Sequence, residues 1–555
     1  MNRKIRGGVF LAAPLLLLAL LTPTTPASSV VLDAPPEVRA QPADSLVDAV
    51  GVQTHLAYPD TPYQDVARTK QALVDLGVRH VRDQMYSNKP ALYGAMREIA
   101  AEGIRFNVIM GNPISWDTPE NLVRTIRDNV PAGVLESLEG ANEWNLKGRE
   151  GWVAELRAHQ EALHEAAKAD PATADLPILA PSLGMRTGFH ELGDLSPFAD
   201  LGNAHIYPGG QKPSTFIRDV LDAQDHVTPG KPTMVTEGGY HDAMSTESGH
   251  RPTPEDVVGV YAPRLLLEHY AAGTERFYLY QLFDERYDAE DTDSEASFGL
   301  VRYDYTPKPA YTALKNLLAL AADPGPEFTP GTLEYAVDGP ADLRHVLLQK
   351  RDGTFLLLMW RDVSVWDRVA QQRTPVAEVA TRVRLGEPAK TLVHFPTQRP
   401  GPVAAVDGTV VDGRMGGEVV ALTITPDQPA APDAAPEADP TPAPDTAPTP
   451  SPAPAPITAP ATEPGPPVDL YAASGHKSAH LWWSPPTVDG GAPVTGSLVT
   501  GSDGSRTQLG ADATFVEIRG LKNNASYTFR VQARNEVGLS EPVTVAVTPW
   551  GGGKR

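Results

Sequence analysis

The sequence predicts an α/β chain: a (β/α)8 barrel, then a β-sandwich, then a Pro-rich linker and a last all-β sandwich. Three observations carry this. Eight short apolar runs, most of them separated by helical stretches, recur between residues 44 and 322, and eight β–α units need about 250 residues. Residues 325–425 change to period-two patterning. Residues 427–466 are almost entirely Pro, Ala, Thr, Asp and Glu and set a final module apart.

The eight strand candidates are 50–55, 78–83, 106–110, 135–143, 178–182, 201–207, 233–237 and 276–282. Between the first two, Val66, Ala67, Leu73 and Val74 are expected on one helical face that stops at Gly77. Leu92, Met96 and Ile99 repeat the pattern and stop at Gly103. A glycine just past a helix end takes up the left-handed conformation that closes the last turn. Val153, Leu156 and Leu163 mark a further helix, closed before Pro171. A doubly wound sheet is the alternative. It usually carries a Gly-rich phosphate loop after its first strand, and Gly51-Val52-Gln53-Thr54-His55 is not one.

In the sandwich region, 343–349 and 354–359 flank Asp352-Gly353, a strong hairpin signal. Runs 383–385 and 418–424 add strands. The segment 427–466 has too little apolar surface to fold and reads as a disordered, extended linker. In the module at 467–549, strands such as 479–483 and 527–533 alternate with Gly, Asp and Asn turns. Pro466-Pro467-Val468, Trp482-Trp483-Ser484-Pro485-Pro486, Leu521 followed by Tyr527, and Arg534-Asn535-Glu536-Val537-Gly538 resemble a fibronectin type III domain. That resemblance implies a sandwich whose Tyr527 phenol caps a turn. Trp482 and Trp483 could form a sugar platform, but such residues more often fill a sandwich core.

Bulk properties narrow the partners. The 555-residue chain has a net charge of −22 and no cysteine. It lacks the clustered cations that bind phosphates, which argues against nucleic acid. Disulfides, thiolate nucleophiles and Cys-based metal sites are excluded. Arg3, Lys4 and Arg6 precede an apolar run from Val9 to Leu21, and Thr25-Pro26-Ala27-Ser28-Ser29 is a plausible cleavage region. A signal peptide over 1–29 is expected. The alternative, a single-pass anchor, would need about 20 apolar residues. A secreted, extracellular chain, bacterial on the cysteine count, is therefore expected, with no membrane association after cleavage and a monomeric state.

The chemistry sits at strand ends, where barrel active sites lie. Cleaving a glycosidic bond with retention needs two carboxyl groups about 5–5.5 Å apart. The fourth run ends in Gly140-Ala141-Asn142-Glu143-Trp144-Asn145 and the seventh in Thr236-Glu237-Gly238-Gly239-Tyr240. Either Glu alone could cap a helix or pair with an Arg. Together with His205-Ile206-Tyr207 after the sixth run and Arg82 at the end of the second, they resemble the clan A retaining glycoside hydrolases, of family 39 or 5 type. Phe298-Gly299-Leu300 and Thr306-Pro307-Lys308-Pro309-Ala310-Tyr311 resemble the closing segment of many members.

The resemblance implies Glu143 as acid/base and Glu237 as nucleophile. Asn142 would bind the sugar 2-OH, and Arg82 and Tyr207 would keep Glu237 ionised. The alternatives are an ion pair of Arg82 with Asp83 or a neighbour, and a satisfied core histidine at His205. A less polar setting near Trp144 is expected to raise the Glu143 pKa. The clan usually has a Trp at the end of strand eight. Tyr280 or Gln281 would stand in here, which leaves the sugar undefined. Asp284 and Glu285 are expected to be structural or at the rim. His55, His80, Asp83 and His205 do not complete a metal-site pattern, so neither metal nor cofactor is expected. The function expected is secreted retaining hydrolysis of a polysaccharide or oligosaccharide. The alternatives are a non-catalytic carbohydrate-binding protein on a decayed barrel, and a transglycosylase with the same residues.

Overall fold

The computed structural model describes residues 35–246, 250–427 and 462–549, except 476, 487, 512, 514 and 524. The expected signal peptide and nearly all of the Pro-rich segment lie outside the described residues. The chain divides into two units, Met1–Ala434 and Ala435–Arg555.

In the first unit eight parallel strands form a barrel: Val50–Gln53, His80–Gln84, Arg105–Ile109, Leu135–Glu139, Ile178–Leu179, Gly202–His205, Thr233–Gly238 and Arg276–Leu279. Each overlaps the run read from the sequence. Their order in the sheet is fifth, fourth, third, second, first, eighth, seventh, sixth. A parallel bridge between Leu179 and Leu201 joins its two ends. A helix follows every strand, in turn Val66–Leu76, Pro90–Ala100, Pro119–Asn129, Trp152–Ala169, Thr187–Leu192, Ile217–Gln224, Glu255–Ala271 and Pro309–Ala321. Gly77, at φ 85, donates its N–H to the Leu73 and Val74 carbonyls and ends the first of them. That helix buries Thr69, Leu73 and Leu76, whereas Ala67 and Val74 face solvent. The true stripe is spaced i, i+4, i+7 and includes a threonine, which a search for apolar residues alone passes over.

The barrel interior is layered. Leu179, Met234 and Tyr278 form a small apolar cluster. Gly51 leaves room for the Tyr278 ring, which a Cβ there would meet at 2.4 Å. One pleat further toward the strand C-termini the inward residues are polar: Arg82, Glu139, Asn203 and Thr236, all buried.

Behind the barrel lies a second eight-stranded sheet, mostly antiparallel, that forms the β-sandwich. Leu343–Gln349 pairs with Phe355–Arg361 across the Asp352-Gly353 turn, where Gly353 has φ +87. Alternation assigns each face. Phe355, Leu357 and Met359 enter the sandwich core, while Leu356, Leu358 and Trp360 join the barrel's apolar core. Two short strands that the sequence reading did not find, Glu37–Arg39 and Gln41–Pro42, precede the barrel in sequence and complete this sheet. At two or three residues each, they are too short for period two to register.

The second unit has a three-stranded and a four-stranded sheet. Trp483 packs with Leu481, Phe529 and Val531 between them, so it is core. The Trp482 side chain lies outside the described residues. The Tyr527 hydroxyl accepts the Lys522 N–H at 2.9 Å, closing the turn as the sequence implied.

Candidate active site

Arg82, on the second barrel strand, is 1 % exposed and organises the site. Its guanidinium has five N–H bonds, and each finds an acceptor. Nε and Nη2 clamp Glu139 at 2.8 and 2.7 Å. Nη2 also reaches Asn142 Oδ1 at 2.7 Å. Nη1 serves Gln53 at 2.8 Å and Glu237 Oε1 at 2.6 Å. Burial alone would lower the Arg82 pKa, but the charges of Glu139 and Glu237 raise it above its ordinary value. Glu139 also accepts Asn107 Nδ2 at 2.6 Å and Asn203 Nδ2 at 3.1 Å. It is the buried counter-ion that allows a cation inside the barrel.

Glu237 ends the seventh strand. One oxygen faces Arg82, and the other accepts the Tyr207 hydroxyl at 2.8 Å. Register between the sixth and seventh strands slips by one residue at Thr236, so that His205, not Ile206, lies opposite Glu237. Such a bulge re-aims side chains.

Glu143 stands beyond the fourth strand, held by its N–H on the Ser182 carbonyl at 3.1 Å. Its backbone is left-handed, φ 44 and ψ 40, a conformation that costs a non-glycine residue on the order of 1 kcal/mol. The turn directs the carboxylate at His205, with Nδ1 2.8 Å from Glu143 Oε1 and 3.3 Å from Glu237 Oε2.

Hydrogen bonds hold His205 at both ring nitrogens. Asn203 uses its NH2 on Glu139 and on the Ala180 carbonyl, so its Oδ1 accepts the Thr236 hydroxyl at 2.7 Å. With its proton spent, the Thr236 oxygen accepts from His205 Nε2 at 3.2 Å. Nδ1 lies between the two carboxyl groups of Glu143 and Glu237. Burial lowers the His205 pKa, but Glu237 and Glu143 outweigh it and the value is raised. Burial would raise the Glu143 pKa, yet the hydrogen bond and charge of His205, helped by Arg82, hold it below its ordinary value.

This corrects the expected role of Trp144. The indole is buried, and its Nε1 donates to Glu155 at 2.9 Å, with Arg149 over the ring. It does not line the site. The residue that governs the Glu143 proton is His205. Gln281 also stands behind the site, fully buried, where it accepts the Tyr63 hydroxyl at 3.1 Å. Tyr280 does line the cavity and donates to Glu295 at 3.2 Å. The Tyr280–Gln281 peptide is cis. Asp284 is structural: it accepts the Gly299 N–H and the buried Lys308 ammonium, each at 2.8 Å. Burial carries its pKa up to about 7. Glu285 lies 3.6 Å from His55 Nε2.

A cavity of about 430 Å³ opens over Asn142, Glu143, His205, Tyr207, Glu237 and Tyr280. Its walls add residues the sequence reading missed, among them Phe216, His250, Glu295 and Phe298. They come from loops that show no periodicity. Glu139 was legible in principle, as a charged residue at an inward strand position.

One ligand atom each from Glu143, His205 and Glu237 lies within 4.8 Å of the others, which is also a metal-binding dimension. Arg82 already occupies one Glu237 oxygen, and His205 Nδ1 faces both carboxyl groups.

Residues 465–547 match the fibronectin type III domain family. Over 73 residues the chain is 37% identical to titin of Drosophila melanogaster, a match covering 12% of this chain and 0%, to the nearest percent, of that relative. Among solved structures, the chain is similar to a family 39 glycoside hydrolase from Bacteroides cellulosilyticus WH2, at 13% identity and TM-score 0.49 over 70% of this chain and 83% of that one. It is also similar to a monomeric beta-xylosidase from Caulobacter crescentus CB15, at 17% identity and TM-score 0.47 over 70% of this chain and 98% of that one. These likenesses lie below a TM-score of 0.5 and leave the chemistry to the site itself.

Proposed function

We propose that this protein is a secreted retaining glycoside hydrolase acting on a polysaccharide or oligosaccharide, with Glu237 as nucleophile and Glu143 as acid/base. The observation that carries the reading is the pair itself. Two carboxylates from the ends of strands four and seven present oxygens within 4.8 Å of each other at the floor of an open cavity. Inverting enzymes need about 6.5–9.5 Å to fit a water between the two groups, and retaining ones about 5–5.5 Å.

The neighbours divide the labour. Arg82 and Tyr207 stabilise Glu237 as the anion. That oxygen attacks the anomeric carbon while Glu143 gives a proton to the departing glycosidic oxygen. The C–O bond breaks, and a glycosyl ester forms on Glu237. Glu143, now a carboxylate, takes a proton from water as the water oxygen attacks the same carbon and releases Glu237. Glu143 is regenerated as the acid. In the resting site its proton is shared with His205 across the 2.8 Å hydrogen bond. Substrate binding expels water and favours the neutral carboxyl. Among the described residues no helix is long and apolar enough to cross a membrane. The C-terminal module fits a spacer or a weak surface contact.

The test is a screen of the secreted chain against aryl glycosides and neutral polysaccharides. Glu143→Gln and Glu237→Gln should each lower kcat on the best substrate by roughly a hundred- to ten-thousandfold. Full activity in both variants would refute the pair. Added azide should rescue Glu237→Gly as a glycosyl azide of inverted configuration and Glu143→Gly as one of retained configuration.

A further inference from the structure

A second cavity, of about 250 Å³, lies between the loops that follow the second and third barrel strands. It shares no lining residue with the catalytic cavity. Its most prominent wall is Trp116, an indole left 62 % exposed. Tyr86 stands with it, the Lys89 ammonium 4.7 Å from its ring centroid.

The loops are held firmly. Asp117 is buried and accepts both the Ser87 N–H, at 3.0 Å, and the Ser87 hydroxyl, tying one loop to the other. Asn121 donates to the Trp116 carbonyl at 3.3 Å. Gly111 bends at φ +76, where a Cβ would come within 3.0 Å of the Asp117 carbonyl. An exposed tryptophan on a fastened loop is a rigid surface.

The chemistry of the walls selects the ligand. Gln84, Asn88 and Asn112 offer amides around the aromatic face. The two charged lining groups are already engaged, Asp117 by Ser87 and Lys89 by the Ala57 carbonyl at 2.8 Å. A pyranose ring presents an apolar face to an aromatic and hydroxyls to amides, and carries no charge.

Aromatic groups also connect the two cavities. Tyr280, in the catalytic wall, meets His55 at 5.8 Å, and His55 stacks on Tyr58 at 4.5 Å. Lys89 binds the loop carrying Ala57, one residue before Tyr58. We propose that the Trp116 cavity is a second saccharide subsite, holding a sugar unit of the same neutral glycan chain whose scissile bond lies between Glu143 and Glu237.

This rests on the hydrolase reading, so the test separates binding from turnover. Full-length Glu237→Gln is run in native gels containing hydroxyethylcellulose, xylan, laminarin or galactan. The migration of at least one gel should be retarded, and adding Trp116→Ala should weaken the apparent affinity about tenfold. Affinity for soluble oligosaccharides of the retarding polymer should rise from trimer to hexamer with Trp116 present and stay flat in Trp116→Ala. Circular dichroism melts should coincide for the two chains. Retardation by none of the four polymers, or retardation indifferent to Trp116→Ala, overturns the subsite. Trp116-dependent retardation in a wild-type chain that hydrolyses no glycoside would instead sink the hydrolase reading and leave the subsite standing.

Discussion

Two carboxylates of equal intrinsic acidity meet different neighbours in this site. Glu237 lies against a guanidinium and a phenol, while Glu143 faces a buried histidine whose pKa the two carboxylates raise. With Glu143 as the proposed acid, sharing its proton with a His205 whose pKa is raised, the basic limb of kcat/KM should reflect the pair. His205→Asn leaves the proton on a carboxyl alone, so that limb should move acidward in a pH–rate profile. An unmoved limb would show that His205 does not hold the proton. Arg82→Lys is the second residue-scale test. Lysine has three donors where arginine has five, so Glu139, Gln53, Asn142 and Glu237 cannot all be served. The expected loss is roughly 3–5 kcal/mol of stability, measured by denaturant unfolding, together with lost activity. A variant as stable as the parent would show that the buried network is not a foundation of the fold.

At the scale of elements, chain geometry aims the site. Gly140 follows the fourth strand where a Cβ would come within 2.4 Å of Gln160 Oε1 and 2.7 Å of the Pro181 nitrogen. Gly140→Ala must push that strand end away from the fifth, at about 1–3 kcal/mol, and should lower kcat more than it raises KM. Equal kcat would show that the turn tolerates the shift. The same geometry explains what could be read from sequence. The eight strands were legible because glycines such as Gly77 and Gly103 end helices just before apolar runs. Glu143, Glu237, Arg82, His205 and Tyr207 were legible because strand ends are the only places a barrel can gather a site. The orientation of Trp144 was not. It follows a left-handed residue, and no pattern in the sequence announces that Glu143 turns back and sends the indole to Glu155. Strand pairing by residues 37–42 was equally hidden, since a two-residue strand is defined by its partner.

At the scale of the molecule, burial couples stability to pH. Desolvation lowers the pKa of His269 to about 3 and of His55 to about 4. Both rings are neutral when folded, while the unfolded chain takes up protons below about 6.5. This stabilisation is whole above pH 6.5 and is lost as pH falls towards 3, roughly 3–5 kcal/mol per ring. Melting temperature should therefore drop between pH 6.5 and 4, and His269→Gln should flatten the slope. A slope unchanged in that variant would mean that the ring titrates freely in the fold. The central claim remains the carboxylate pair at the mouth of the barrel. It is tested most directly by proton NMR of the first sugar released, read before mutarotation. Two inversions at the anomeric carbon, by way of the ester on Glu237, give a first product with the anomeric configuration of the substrate. A product of the opposite configuration would contradict it.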